Sequence, residues 1–229
     1  MKRSEKALSV LRFRRFSTVQ LLIALGLLFI AAPFVEELEG GELIVSGLFS
    51  LVMLAGVLAV ADRKRVLVIA IVLAIPAIAG RWINHFRPDL IPPPVFLVCG
   101  LMLITFVIAH LLLFVLRAPS VTAEVLCASL SAYLMLGLLW TMAYWLVDQF
   151  TPGGAFSFNT GGGTHSMSGF TGFYFSFITL STVGYGDITP VSRLARWLAA
   201  MEAMTGLLYV AVLIARLVSL YSSPRSEDS

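Results

Sequence analysis

The sequence predicts an all-α membrane protein. Six transmembrane helices are expected, with a short re-entrant helix and a non-helical stretch between the last two. Three observations carry this reading. The 229 residues are 59% hydrophobic and only 13% charged, with a mean hydropathy of +0.92, the composition of an integral membrane protein. The apolar residues fall in runs near the roughly 20 residues that a bilayer-crossing helix requires. Residues 182–186, Thr182-Val183-Gly184-Tyr185-Gly186, lie between two membrane-competent segments, yet two glycines in three residues make a helix there costly.

The elements follow in order. Residues 1–17 are basic (Lys2, Arg3, Lys6, Arg12, Arg14, Arg15) and amphipathic after Ala7, which suits the inner membrane face. Residues 19–35 form the first span. The competing reading there is a cleaved signal peptide, because basic residues lead into an apolar run ending Ile30-Ala31-Ala32, although the small-x-small cleavage pattern is poor. Glu36, Glu37, Glu39 and Glu42 make an acidic loop, residues 43–61 the second span, and Asp62-Arg63-Lys64-Arg65 a basic turn. Residues 66–80 form a short third span whose end Pro76 is expected to kink. Residues 81–94 are a loop with Pro88 and Pro92-Pro93-Pro94, and 95–116 are the fourth span. Arg117-Ala118-Pro119-Ser120 breaks the chain, so 1–118 form one domain and 119–222 another, followed by a polar tail, 223–229. In the second domain, 121–147 is the fifth span and 148–169 a polar loop with glycines at 153–154 and 161–163. Residues 170–180 form the short aromatic helix, and 192–221 the sixth span.

Composition also excludes classes. The net charge of +3 is no nucleic-acid signal, since the basic residues flank spans. The glycine-rich loop lacks the Gly-Lys-Ser/Thr ending of a phosphate loop. Cys99 and Cys127 lie in apolar segments and read as buried thiols, with no disulfide and no metal site expected. No catalytic constellation occurs, so an enzyme is not expected. With the N-terminus inside, the inner side holds the six N-terminal basic residues, Arg63, Lys64, Arg65, Arg117, Arg216 and Arg225, against Arg81, Arg87, Arg193 and Arg196 outside. That asymmetry puts both termini in the cytoplasm.

The stretch Thr179-Leu180-Ser181-Thr182-Val183-Gly184-Tyr185-Gly186-Asp187 resembles the filter of the potassium-channel family. Residues 120–220 are similar to that family's pore module of outer helix, pore helix, filter and inner helix. The resemblance implies a passive, K+-selective channel of bacterial type in the inner (plasma) membrane, with no attached cytosolic sensor. K+ would be its ion, and membrane lipids and further copies of itself its partners. One filter stretch per chain requires several chains around an axis, and the family's four-fold ring implies a homotetramer. The Thr182 hydroxyl and the carbonyls of Thr182, Val183, Gly184 and Tyr185 are then the K+ ligands. Tyr185 would brace the filter against the pore helix, Gly186 would support it, and Asp187 would tie it from behind. The pore-helix end at Thr179 would aim its partial negative charge at the cavity. Two departures stand out: Ile178 where some members carry a glutamate, and Phe175 where many carry a tryptophan that donates to the filter aspartate. A loosely held filter makes closure at the filter itself an expectation. The alternatives are a weakly selective cation channel and a non-conducting assembly subunit.

In the inner helix, Gly206 matches the family's hinge glycine, with close helix packing as the competing reading. Leu207, Val210, Ile214 and Val218 repeat at helical spacing as candidates for cavity and gate. The first four spans resemble those of voltage-gated members only in number. The fourth has no repeated arginines and holds His110, read as a packed neutral side chain; His85 and His165 read as loop residues. Glu202 is the one carboxylate deep in a span, and therefore a functional candidate. It should point sideways from the cavity, toward hydroxyls of Ser176, Thr179 or Ser181, as a strut behind the filter or as a proton-sensing gate.

Overall fold

The computed structural model describes residues 2–35, 38, 40–61, 64–87, 90, 92–159, 167 and 169–222, with side chains at 2–16, 42 and 220–222 outside that description. The basic side chains of the N-terminal segment, the acidic loop (Glu36, Glu37, Glu39, Glu42), Asp62, Arg63, Pro88, Gly161 to Gly163, His165 and the tail from 223 therefore lie outside the described residues.

The described chain is mostly helical. Helix α1 runs Lys2–Val35 without a break, so the basic segment and the first apolar run are one helix, with Pro33 in its last turn. Helix α2, Gly41–Ala59, starts after Gly40, whose φ of 83° is the left-handed conformation glycine accepts freely. Helix α3, Lys64–Phe86, is longer than the sequence suggested. Pro76 sits inside it, and Arg81, expected in a loop, stays helical. The reason is local chemistry. The Arg81 guanidinium lies 4.9 Å from the Phe49 ring centre and its Nε donates to Ser46 Oγ at 3.1 Å, both on α2. The next residue, Trp82, donates its indole N–H to Ser50 Oγ at 3.0 Å. An arginine held by a ring face and a hydroxyl need not end an apolar helix.

Helix α4, Pro93–Arg117, opens with proline where no N–H is needed. On it, His110 Nδ1 donates to the Phe106 carbonyl at 2.9 Å. Helix α5, Ala123–Phe150, is capped by Thr122, whose Oγ1 accepts from Val125 N at 3.3 Å. Two strands were not expected. Strand β1, Phe156–Phe158, lies in the glycine-bearing loop, and β2, Ile188–Pro190, follows the filter stretch. They pair antiparallel, Phe156 opposite Pro190 and Phe158 opposite Ile188. Between them comes α6, Gly169–Leu180, and after them α7, Arg193–Ser222.

Among the described residues, five stretches are long and apolar enough to cross a membrane: Ser17–Val35, Lys64–Phe86, Pro93–Arg117, Ala123–Phe150 and Arg193–Ser219. The described apolar part of α2, Leu43–Ala59, is shorter, and α6 is too short to cross. Helix α1 packs on α2 and α5, and α4 packs on α3 and α5, sharing one apolar cluster from Leu25 through Phe49 and Val107 to Met135 and Leu138. A second cluster at the hairpin joins Tyr144, Phe156, Phe175 and Ile188.

Helix α7 approaches α6 at Gly206, where an added Cβ would overlap the carbonyl oxygen of Leu180. The close-packing role of Gly206 thus has a physical basis, because that carbonyl belongs to the backbone and cannot rotate away. We expect Gly206→Ala to destabilise the protein by about 1–3 kcal/mol through overpacking. The check is the melting temperature in detergent micelles; an unchanged value would mean that α6 and α7 separate freely.

Candidate functional site

Helix α6 leaves its last carbonyls without helical partners, and the following residues fold back onto them. Phe177 O accepts from Ser181 N at 3.1 Å, and Thr179 O from Thr182 N at 2.9 Å. Ile178 O accepts from two backbone amides, Val183 N at 2.9 Å and Gly184 N at 3.1 Å. The helix end therefore starts the filter stretch rather than merely preceding it.

Backbone handedness then alternates. Thr182, Gly184 and Gly186 take positive φ (59°, 52° and 79°), while Val183 and Tyr185 do not. For the two glycines this is free; for Thr182 it costs roughly 1–2 kcal/mol. Alternation of this kind turns successive carbonyls to one side. Among the described residues, no backbone group donates to the carbonyls of Thr182, Val183, Gly184 or Tyr185. All of 181–186 is exposed, and Tyr185 is 73% exposed, so its ring is not packed against this chain's own pore helix.

Above this ladder the chain is held tightly. Asp187 Oδ2 accepts from the Tyr174 hydroxyl at 2.8 Å, and its Oδ1 from Ile188 N at 3.0 Å. Asn159, just beyond β1, donates its backbone N–H to Asp187 O at 2.7 Å and its side-chain amide to Gly186 O at 3.0 Å. The expectation that Phe175 leaves the aspartate without an aromatic donor is corrected here. Phe175 sits in the core, edge-on to Tyr144 and Phe156, and the neighbouring Tyr174 supplies the donor. Ile178 is only partly buried, and its carbonyl accepts from the Val183 and Gly184 amides.

Behind the filter, Glu202 is fully buried on α7. Its Oε2 accepts from the Tyr144 hydroxyl of α5, and its Oε1 lies 2.5 Å from Ser176 Oγ of α6. Ser176 Oγ is also 2.7 Å from the Gly137 carbonyl of α5. Three oxygen–oxygen contacts meet here, whereas the two hydroxyls bring two protons; one on the Glu202 carboxyl would complete the set. Of the hydroxyls expected to meet Glu202, only Ser176 does. Ser181 Oγ turns to Phe177 O at 2.6 Å. Leu207, Val210, Ile214 and Val218 are all exposed, as are Leu208 and Val212, so exposure does not single out one lining face of α7.

Sequence reasoning missed Tyr144, Tyr174 and Asn159. Tyr174 alone had a signal, as the one tyrosine of α6, and hence its one aromatic able to donate to an acid. Asn159 had none, because its role depends on a strand pairing across an intervening helix.

Residues 133–223 match the protein family described as "Ion channel". Three partial likenesses fall in curated proteins. A 45-residue stretch is 49% identical to Protein LctB of Geobacillus stearothermophilus, covering 20% of this chain and 33% of that one. Protein LctB of Bacillus caldotenax is 47% identical over 45 residues, with the same coverage. Two-pore potassium channel 4 of Arabidopsis thaliana is 45% identical over 47 residues, 20% of this chain and 16% of the relative. The chain thus spans about a third of the length of the two bacterial relatives and a sixth of the plant one. Taken with the long apolar helices, the matches indicate a membrane protein whose C-terminal part is similar to ion-channel domains.

Proposed function

We propose that this protein is a K+-selective channel, assembled as a homotetramer around the 182–186 stretch. The observation that carries the reading is the run of four successive carbonyls to which no backbone group donates among the described residues, with positive φ at Thr182, Gly184 and Gly186. Such carbonyls can replace the hydration shell of K+, and the Thr182 hydroxyl adds a ligand at the inner end. The ion stands here as cargo. One chain supplies one wall of such a ring. Support for the rest being other copies comes from the bare Tyr185 ring and the exposed face of α7. The plant relative's name as a potassium channel supports the choice of ion. In this assembly the fifth and sixth spans are α5 and α7, α2 counts as the second span, and both termini face the cytoplasm. Leu207, Val210, Ile214 and Val218 line the cavity and inner gate, and Gly206 serves as hinge as well as packing point. The gating stimulus belongs to no residue identified above.

Gly186→Ala is expected to abolish K+ flux while the tetramer stays intact, because alanine resists the 79° φ that sets the upper carbonyls. Thr182→Ala should weaken the innermost site more mildly, since it keeps the carbonyl. Reversal potentials in liposomes provide the check. Undiminished K+-selective current in Gly186→Ala would sink the assignment, a Na+-permeable wild type would favour a weakly selective channel, and a silent wild type an assembly subunit.

Voltage should act only gently. One charge moving through 100 mV is worth about 2.3 kcal/mol, and steep gating needs many such charges. Helix α4 carries no basic residue before Arg117 except His110, and Arg81 on α3 is tied to Ser46. Planar-bilayer recordings should show open probability changing gradually with voltage; a gating charge like that of arginine-rich sensors would contradict this.

Glu202 acts in this reading as a strut joining α5, α6 and α7. Glu202→Ala should destabilise the filter or tetramer by several kcal/mol, as expected when buried hydroxyls lose their partner. Glu202→Gln should be mild, since its amide can donate to Ser176 and its carbonyl accept from Tyr144. Sustained current and thermal stability of the tetramer decide it. A glutamine variant as damaged as the alanine one would mean that the carboxyl charge is required.

A further inference from the structure

We infer that the β1–β2 strand pair is a collar for the outer mouth of the filter, and that Asn159 is the positioning residue that holds the Gly186 carbonyl out of the ion path. The inference rests on the channel reading above.

The collar is anchored along its whole length. At the end of α5, Asp148 Oδ1 accepts from Ala155 N at 2.7 Å. The Ala155 carbonyl then accepts from Val191 N at 2.9 Å and Ser192 N at 3.2 Å, which ties the base of β1 to the start of α7. One residue on, the Phe156 ring sits edge-on to Tyr144 at 5.5 Å and Phe175 at 5.3 Å, in the layer behind the filter. The ladder then carries the strand through Phe158 opposite Ile188. Its next residue is Asn159, and there the two donors of a single residue take two successive carbonyls, Gly186 and Asp187.

The consequence lies in which carbonyls remain. A carbonyl oxygen accepts near its own plane, so a Gly186 oxygen bonded to Asn159 points at the collar. The four below it have no such partner. Asn159 thus sets the upper limit of the ladder at Tyr185. The backbone bond to Asp187 fixes the height of the mouth, and the side-chain bond fixes the direction of one oxygen. Tyr174 holds the same turn through the Asp187 carboxylate from the pore-helix side, so the mouth is gripped from two elements that are separate in sequence.

Without the Asn159 amide, the Gly186 oxygen has no donor among the described residues, and a K+ ion at the mouth becomes its substitute partner. Sustained conduction then comes to depend on external K+. The experiment uses the full chain in planar bilayers, comparing wild type, Asn159→Ala and Asn159→Asp, which keeps the shape of asparagine but cannot donate from its side chain at neutral pH. At low external K+ both variants should shift the ratio of non-conducting to conducting channels about fivefold upward, the factor corresponding to the roughly 1 kcal/mol of one hydrogen bond. High external K+ should restore them, and tetramer melting should stay at the wild-type value. Wild-type behaviour of both variants at low K+ would overturn the collar. So would a loss of tetramer stability that external K+ does not rescue, since Asn159 would then serve the fold alone. A wild type that carries no K+ current defeats the channel reading instead. In that event the Gly186 carbonyl resonance, read by solid-state NMR in membranes, still judges the clamp: it should move in Asn159→Ala, and a stationary signal refutes the contact.

Discussion

Four consecutive backbone carbonyls, at Thr182, Val183, Gly184 and Tyr185, to which no backbone group donates among the described residues, are the constraint on which the rest of this structure depends. An ordinary helix satisfies its own backbone, and at membrane depth an unsatisfied polar group costs several kcal/mol. A stretch that leaves four oxygens open cannot hold its own shape, so every restraint on it comes from elsewhere. Ile178 grips its lower end through two amides, Asn159 and Tyr174 grip its upper end, and the backbone between them spans the gap without cross-links. Thr182 even adopts a left-handed conformation that a β-branched residue resists. Strain of that kind persists only where the surroundings over-determine it. The second cluster, with Phe175 and Tyr144 locked edge to face, supplies the stiffness.

Some of this was legible in the sequence for reasons that can be named. Gly184 and Gly186 announced positive φ because glycine is otherwise a poor choice between two apolar helices. Glu202 announced a buried site because a carboxylate is expensive in a span, and Ser176 was one of the three hydroxyls expected beside it. Other features were not legible. Arg81 looked like the end of a span because charge usually ends one; the Phe49 face and Ser46 hydroxyl that hold it come from a different helix. Strands β1 and β2 are three residues each, too short for a period-two pattern, and β1 is embedded in a loop that composition marks as flexible. Phe175 and Tyr174 differ by one position in an all-aromatic run, and only the direction of each side chain tells which one reaches Asp187. Thr182 gave no signal at all, because threonine is a residue whose intrinsic preference points away from the conformation it adopts.

Helix α1 is part of the same mechanical problem. Phe29 of α1 lies 4.6 Å from Phe173 and 4.3 Å from Phe177, ring centre to ring centre, on the rear of the pore helix. Phe177 in turn fills the space where Gly137 lacks a side chain, and the Gly137 carbonyl is a partner of Ser176. Edge-to-face aromatic pairs are worth about 0.5–1.5 kcal/mol each beyond their buried area, enough to bias the position of a twelve-residue helix. Helix α6 is therefore contacted from behind by α1 and bonded from the side to Glu202, and its C-terminal carbonyls hold the amides of Ser181 to Gly184.

The same ties bear on where the chain can move. Helix α7 is bound at three heights: Glu202 to Tyr144, the Tyr209 hydroxyl to Ser129 O at 2.6 Å, and Arg216 Nη2 to Ala118 O at 2.9 Å. Gly206 falls between the first two, against Leu180 of the pore helix. Bending α7 at Gly206 therefore breaks the Tyr209 and Arg216 bonds, unless α5 and the Ala118 linker travel with it. Among the described residues, 182–185 carry no comparable polar tie, so a rearrangement of their carbonyls leaves those three bonds intact. Among the described residues, a shift confined to 182–186 breaks fewer polar ties of α7 than a bend at Gly206, and the bonds made by Asn159 and Tyr174 mark its upper boundary.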